Sequence, residues 1–462
     1  MTTSAPPLPD PIETRLFING EFVPALDGST FALKSPFSGE TVANVAEAKA
    51  ADVDRAVECA KAAFPAWEAL DGSERRRLML KLADLVDEHA AEFARLEALS
   101  MGKPVSGYMD QVMGTATLRY YAGKALDIHG ITSLTSQNHL NLSLRQPYGV
   151  TGAIIPWNVP LIMLCFKVGP ALTAGNTLIV KSSEKAPLTS LLFARLAAEV
   201  GYPPGVLNIL SGFGMPCGDA IARHMEIRKI AFTGSTRTGR LIQRAAVESN
   251  LKSCTLELGY VCMASSRVYV HRNVAGKFKD LYAQAIARLA GSPGDPNNAA
   301  TSFGPQADEQ QVKSVRAYLE LAQREDLQRL PLGELDAKVN AGANFVAPVV
   351  LLDVPGNNRL MREEIFGSVS CLNTFHSEDE VIRAANDSEF GLYASVFTRD
   401  INRAIQVARH FEAGSVAVNT SSPYYCQDLP LGGFKGSGTG RELGDEGLQA
   451  WTETKSVFIK LS

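Results

Sequence analysis

The chain of 462 residues is too long for one compact core, so two or three domains are expected. Hydrophobic residues make up 45% and charged residues 20%, which is ordinary for a globular protein. The net charge of −4 gives no basic excess, so neither nucleic acid nor an anionic membrane surface is a predicted partner. The most apolar stretch, 154–174, is interrupted by three prolines and a lysine, which argues against a transmembrane helix.

Cysteine usage and the N-terminus point to a reducing compartment. The seven cysteines are scattered and show no spacing typical of zinc ligands or a redox pair, so no metal site is predicted. Residues 1–11 are proline-rich and lack the apolar run of a secretory signal. The predicted location is the cytoplasm.

In chain order, the first predicted elements are helices. Apolar spacing over 49–100 predicts two amphipathic helices, with Ser73 as the N-cap of the second. Polar and apolar residues alternate over 140–146, which predicts a half-exposed strand. Short apolar strands separated by helical or turn segments are then predicted at 150–155, 177–181, 206–210, 229–232 and 253–258. This alternation favours a parallel sheet covered by helices.

The C-terminal half repeats the alternation, so the predicted fold class is α/β. Strands are predicted at 267–270, 349–352, 369–375, 394–398 and 415–418. Helices are predicted near 273–290, 378–387 and 401–412. From Leu429 the chain is glycine-rich and ends in a strand-like segment at 456–461.

Seven motifs occur in a fixed order over the C-terminal two thirds of the chain. They are IIPWNVP (154–160), VKSSE (180–184), FTGST (232–236), LELG (256–259), VCMAS (261–265), EEIFG (363–367) and GGFKGSG (432–438). In this order the motifs resemble those of the aldehyde dehydrogenase superfamily, and similar sequence extends towards both termini.

The resemblance implies a fold of two α/β domains and a small β arm. A Rossmann-like NAD-binding domain would comprise 1–134 and 150–259, and a truncated catalytic domain 260–428. Residues 135–149 and 429–462 would form the oligomerisation arm and C-terminal tail, giving a homodimer or homotetramer.

The resemblance also implies NAD-dependent oxidation of an aldehyde to a carboxylic acid. Cys262 matches the nucleophile that forms the thiohemiacetal and thioester, and Glu257 matches the general base. Asn158 matches the amide that stabilises the alkoxide together with the Cys262 backbone N–H. Without the resemblance, no cysteine stands out, Glu257 reads as an exposed carboxylate, and Asn158 reads as a helix cap.

The expected cofactor is NAD, with NADP disfavoured. A carboxylate at Glu184 would accept hydrogen bonds from ribose hydroxyls and repel a 2′-phosphate. Gly234 and Gly239 lie where a predicted strand turns into a helix, and glycines there favour a phosphate at the helix N-terminus. The motif alone is equally compatible with an ordinary turn. The expected cofactor-binding residues are Ile154, Pro156, Trp157, Lys181, Ser183, Glu184, Gly214, Gly234, Ser235, Gly239, Leu258, Glu364 and Phe366.

One large departure from the family pattern lies at the site itself. In relatives a strand and a helix separate the glutamate motif from the cysteine, whereas here Gly259 is followed directly by Tyr260, Val261 and Cys262. About 30 residues, one strand–helix unit, are missing, which would leave an exposed sheet edge. Three explanations remain open: an error in the gene model or splicing, a natural shortened enzyme, and a catalytically inactive NAD-binding homologue.

The substrate expected from the resemblance is a small-molecule aldehyde, apolar or aromatic. Five residues would line its entrance: Val159, Met163, Phe166, Tyr424 and Tyr425. The alternative is that these side chains are ordinary core residues.

Overall fold

The computed structural model describes residues 12–259, 263–333, 339, 344–421 and 425–461. Cys262 and Tyr424, named above as site residues, lie outside these ranges. The predicted α/β fold class is confirmed: helices cover a large mixed sheet and several small ones.

The elements are numbered in chain order. The strands are β1 (Leu16–Ile18), β2 (Glu21–Val23), β3 (Thr30–Lys34), β4 (Thr41–Ala46), β5 (Thr132–Ser133), β6 (His139–Pro147), β7 (Val150–Ile154), β8 (Thr177–Ser182), β9 (Leu207–Ser211), β10 (Lys229–Gly234), β11 (Ser253–Leu258), β12 (Arg267–His271), β13 (Val349–Leu352), β14 (Val369–Phe375), β15 (Phe390–Gly391), β16 (Tyr393–Val396), β17 (Ser415–Val418), β18 (Phe434–Lys435), β19 (Gly438–Thr439) and β20 (Thr452–Lys460).

The helices are α1 (Ala50–Glu68), α2 (Gly72–Glu88), α3 (Ala90–Met101), α4 (Asp110–Lys124), α5 (Pro160–Thr173), α6 (Pro187–Val200), α7 (Asp219–Arg223), α8 (Thr236–Glu248), α9 (Ala275–Leu289), α10 (Glu309–Arg324), α11 (Arg359–Arg362), α12 (Glu378–Asn386), α13 (Ile401–His410) and α14 (Gly444–Gln449).

The large sheet has the order β19-β11-β10-β7-β8-β9-β1-β2, and its strands from β7 to β11 run parallel. β7, β8 and β9 are buried along their whole length because helices cover both faces of the sheet. The N-terminal hairpin β1–β2 and the two-residue strand β19 complete the sheet at its opposite edges. Sequence patterns predicted neither addition.

The prediction of two helices over 49–100 is wrong, because the segment forms α1, α2 and α3. Ser73 is inside α2 rather than at its N-cap. The cap is Asp71, whose side chain accepts a hydrogen bond from the Ser73 amide. The third helix follows immediately after His89, so its apolar residues continue the pattern of α2 and hide the boundary.

The second half of the chain builds smaller parallel sheets. β12, β14 and β13 form one sheet in that order, and β16 pairs with β17 in another. Most residues of β12 and all residues of β16 are only half-buried. One edge of β12 therefore has no strand partner among the described residues, as expected if a neighbouring strand is missing.

The arm is a small antiparallel sheet of order β20-β6-β5, and β6 pairs with β20 from His139 to Pro147. It presents apolar side chains to solvent, Ile131 at 74% and Phe458 at 75% exposure. Within the described residues, no helix is long and apolar enough to cross a membrane.

Candidate active site and cofactor groove

The predicted site residues of the large sheet meet at one edge. In the parallel register, Ile154 pairs with Lys181 and with Phe232, and Gly234 pairs with Leu258. The carboxyl ends of β7, β8, β10 and β11 are therefore aligned, and the loops that leave them lie along one edge of the sheet, here called the groove. Open α/β sheets bind their ligands at this edge.

The loop after β8 supplies a lysine and a carboxylate. Lys181 is 3% exposed, and its Nζ donates to the carbonyl oxygens of Ser182 at 2.6 Å and Gly212 at 2.7 Å. Burial lowers the pKa of this ammonium. Glu184 Oε2 lies 3.9 Å from Lys181 Nζ, and its side chain is 33% exposed, so the carboxylate is available to a ligand. Ser183 is buried beside it and its hydroxyl accepts from the Lys185 amide at 3.3 Å.

The turn after β10 leads into α8, which packs closely against β11. A Cβ on Gly239 would lie 2.3 Å from Leu258 Cδ2, so the side chain at this position must be absent. Ser235 caps the helix, its hydroxyl accepting from the Thr238 amide at 3.3 Å, and it is exposed to the groove side. The free N-terminal amides of α8 favour an anion there.

The loops after β7 and β9 form the other wall. Ile154 is buried, whereas Pro156 and Trp157 are half-buried where the chain leaves the strand. Gly214 is exposed at the start of a π-type turn, Gly214–Gly218, and a Cβ on Gly218 would lie 3.5 Å from Lys181 Cδ. This wall thus approaches the Lys181–Glu184 corner closely.

Glu257 lies at the end of β11 and is 3% exposed. It pairs with Thr233 on β10 and with Gly438 on β19, so it lies between two strands rather than at an edge. The Leu258 amide donates to the Ser437 carbonyl at 2.8 Å. The glycine-rich C-terminal motif therefore pairs with the edge of β11, the strand that carries the predicted base.

A buried ion pair lies against β10, the strand next to β11, and no sequence pattern predicted it. Lys167 Nζ donates to Thr233 Oγ1 at 2.8 Å and bonds to Glu442 Oε1, with Lys167 fully buried. The available signal was a lysine in α5, which is otherwise made of apolar and small residues. A lysine in such a helix requires a buried partner.

Asn158 lies in the loop between β7 and α5 and is half-buried. The alternative that it caps α5 is wrong, because Val159 occupies the N-cap position and no side chain caps this helix. The missing cap is tolerated because Pro160, the first residue of α5, has no N–H to satisfy. Cys262 lies outside the described residues, and Met263 next to it is buried.

Across the groove, the loop between α11 and β14 carries Glu364 and Phe366. The Phe366 ring meets the Trp157 ring edge-on, with 5.2 Å between ring centroids. Gln311 Nε2 donates to the Phe366 carbonyl, which fixes this loop to α10. Trp157 and Phe366 thus connect the large sheet to the second half of the chain.

Of the described residues expected at the aldehyde entrance, two are buried in the core and two are half-buried. Met163 and Phe166 are 3% and 2% exposed and belong to the main hydrophobic core, so core packing accounts for them. Tyr425 and Val159 are half-buried, and Tyr425 packs edge-on against Phe166 with 5.5 Å between centroids.

No group of metal-ligating side chains occurs in the described part of the chain.

Comparison with known proteins identifies the family. A model described as the aldehyde dehydrogenase family matches residues 22–260 and 259–457. The chain belongs to the aldehyde dehydrogenase family. The two matched segments meet at residues 259–260, where the sequence led us to expect a missing strand–helix unit. The chain is 41% identical to retinal dehydrogenase 2 of Mus musculus, over 97% of this chain and 92% of that protein.

Solved structures of the family have the same fold. The NAD+ complex of aldehyde dehydrogenase from Bacillus cereus superposes with a TM-score of 0.94 at 37% identity, covering 100% of both chains. An NAD+ complex of indole-3-acetaldehyde dehydrogenase gives 0.92 at 36% identity, covering 97% of both chains. The predicted resemblance is therefore confirmed over nearly the whole molecule.

Proposed function

We propose that this protein oxidises an aldehyde to a carboxylic acid with NAD as the cofactor. The observation that carries the proposal is the buried carboxylate of Glu257 at the end of β11, at the same edge of the sheet as the start of α8 and the loop that carries Glu184. The similar structures from Bacillus cereus and of indole-3-acetaldehyde dehydrogenase are NAD+ complexes, which supports this choice of cofactor.

The groove has the hydrogen-bond donors and acceptors that a dinucleotide needs. The N-terminus of α8, with Gly234 and Ser235, would hold the pyrophosphate, and Glu184 with Lys181 would bind the adenosine ribose. The remaining residues of this set are Ile154, Pro156, Trp157, Ser183, Gly214, Gly239, Leu258, Glu364 and Phe366. When bound, the nicotinamide would accept the hydride released from the substrate carbon.

Three residues would carry the chemistry. The Cys262 thiolate would attack the aldehyde carbon and form a C–S bond, and the Asn158 amide would stabilise the oxyanion. After loss of the hydride, the former aldehyde carbon is the acyl carbon of a thioester with Cys262. Glu257 would remove a proton from the water that cleaves it, which returns the thiol and releases the acid.

An apolar or aromatic aldehyde is the proposed substrate. The half-buried Val159 and Tyr425 border the core on this side of the groove. Two relatives are named for retinal and indole-3-acetaldehyde, aldehydes with large apolar groups.

The short connection between Glu257 and Cys262 is proposed to reflect a missing strand–helix unit. The split of the family match at residues 259–260 and the half-buried state of β12 support this. An assembly of two or four copies through the arm is also proposed, since Ile131 and Phe458 expose apolar surface there. A cytoplasmic location stays a prediction.

The decisive test is NADH formation from NAD and a panel of apolar aldehydes. Cys262→Ala should abolish it, and Glu257→Gln should lower the turnover by about 100- to 10,000-fold, the usual effect of losing a general base. Cys59→Ala, which changes a half-buried cysteine on α1, is the matched control and should leave the rate unchanged.

Thermal stabilisation by NAD without NADH formation, together with slow alkylation of Cys262 by iodoacetamide, would instead identify an inactive homologue. For the cofactor, Glu184→Thr should raise the use of NADP relative to NAD, because the repulsion of a 2′-phosphate is removed. An unchanged preference would contradict the role of Glu184.

A further inference from the structure

An ion pair spans the groove beside the Lys181–Glu184 corner. Lys185, on the loop after β8, has its Nζ 2.6 Å from Asp308 Oδ2, and the two side chains are 20% and 35% exposed. Asp308 precedes α10 and caps it, accepting from the Gln311 amide at 2.8 Å. One partner therefore belongs to the large sheet, and the other to the second half of the chain.

The same lysine joins an aromatic contact across the groove. Its ammonium lies 5.2 Å from the centroid of the Trp157 ring, and Trp157 in turn meets Phe366. Gln311 then bonds to the Phe366 carbonyl and closes the ring of contacts. Each contact reinforces the others, since moving α10 away would separate both the ion pair and the two rings.

The two halves also meet beside this pair and in nearby loops, where buried Met101, Ala186 and Ala307 form one apolar cluster. The Val105 amide donates to the Pro296 carbonyl at 2.9 Å, and Ser106 Oγ donates to the Thr301 carbonyl. None of these contacts depends on the charge of Lys185. The halves can therefore stay joined through these loops while the groove opens.

We propose that Lys185 and Asp308 form a clasp between the two halves of the molecule that must open for a dinucleotide to leave the groove. The proposal rests on the proposed NAD binding, because Glu184 and Phe366, on either side of the clasp, are the residues assigned to the two ends of that ligand. A partly exposed ion pair is weak enough to open readily and is sensitive to salt.

The test uses three variants that keep the local shape. Lys185→Met keeps the length of the side chain without its charge, and Asp308→Asn keeps the helix cap. Because both substitutions break one contact, the double variant should behave like either single variant. Lys124→Met, which breaks the pair with Asp445 outside the groove, is the control.

Two measurements decide the outcome. In the cofactor-free protein, Lys185→Met should raise amide exchange at 155–160 and 364–367 together. In stopped-flow fluorescence, NADH should leave about three- to tenfold faster, and added KCl should speed release from the unmodified protein but not from the variant.

Unchanged exchange at both loops would overturn the clasp, as would raised exchange with an unchanged NADH release rate. A failure of NADH to bind would contradict the proposed function instead, and the exchange measurement would still decide whether the clasp exists.

Discussion

The two halves of the molecule differ in how completely their sheets are built. In the large sheet, the central strands β7, β8 and β9 are buried throughout, and additional strands protect the edges. In the second half, β12 and β16 are mostly half-buried and belong to separate small sheets. The difference indicates that the edges of the large sheet are covered, whereas β12 in the second half has an edge suited to one more strand.

The largest expected effect comes from breaking the buried ion pair below the large sheet. Lys167→Met should lower the free energy of unfolding by about 3–5 kcal/mol, because Glu442 would be left as an unpaired buried charge. The measurement is urea denaturation at neutral pH. Replacing both residues, as Lys167→Met with Glu442→Leu, should cost less than the single change.

The control for that comparison is Lys435→Met, which removes a more exposed partner of Glu412 in the smaller half. Its cost should be below about 1 kcal/mol. Equal losses from Lys167→Met and Lys435→Met would show that burial does not distinguish the two halves.

Inserting the proposed strand–helix unit should make the two halves more alike in how well their sheet edges are protected. Insertion of a strand–helix unit from a family relative between Gly259 and Tyr260 should slow amide exchange in β12 by about tenfold, since its free edge gains a partner. Exchange in β8 should not change. A flexible Gly/Ser insertion of equal length should protect neither strand, and protection by that insertion would contradict the interpretation.

A buried carboxyl group among the helices of the first half gives a pH test. Burial raises the pKa of Glu97 to about 8, although Lys103 and a hydrogen bond from Tyr108 act in the opposite direction. The folded protein therefore holds a proton that the unfolded chain releases near pH 4.5. Stability from this group is greatest below that pH and falls as the pH rises towards 8.

Glu97→Gln should accordingly reduce the loss of stability between pH 5.5 and 8.5 by up to roughly 3 kcal/mol, because each pH unit between the two pKa values contributes about 1.4 kcal/mol. Urea midpoints at the two pH values measure it. If the variant and the unmodified protein lose stability in parallel, the assignment to Glu97 is wrong.

The smallest effect is expected at a helix cap in the second half. Ser377 accepts from the Glu380 amide at the start of α12, and Ser377→Ala should cost about 1 kcal/mol. If the halves unfold separately, only the transition of the second half should shift in urea. Ser377→Asp keeps a capping group and should restore the transition.

The sequence predicted the regular parts of the fold well, for a physical reason. Strands such as β8 and β11 are continuous apolar or alternating runs bounded by turns, so local pattern reports them. The short strand β19 was not predicted, because two residues carry no periodicity and their partner β11 lies far away in the chain. The strands of the hairpin β1–β2 are adjacent in the chain, but with three residues each they are too short to show a periodic pattern.

The site shows a similar division. The alignment of Lys181 with Ile154 follows from parallel strands, and the sequence could suggest it. The roles assigned to Cys262 and Asn158 came from family resemblance alone, because isolated residue types do not reveal which side chains converge. The contacts of Lys167 and Lys185 depend on partners from distant segments, and no local pattern names such partners.

The pairing of β11 with β19 also constrains how the protein is made. Until residues 437–439 leave the ribosome, the strand that carries Glu257 has an open edge on the nascent chain. The large sheet therefore stays incomplete at this edge until the C-terminal strand β19 has been synthesised. A chain stalled before this point would expose that edge to chaperones and to other nascent chains. It would also lack β19, the strand that pairs with β11 beside Glu257.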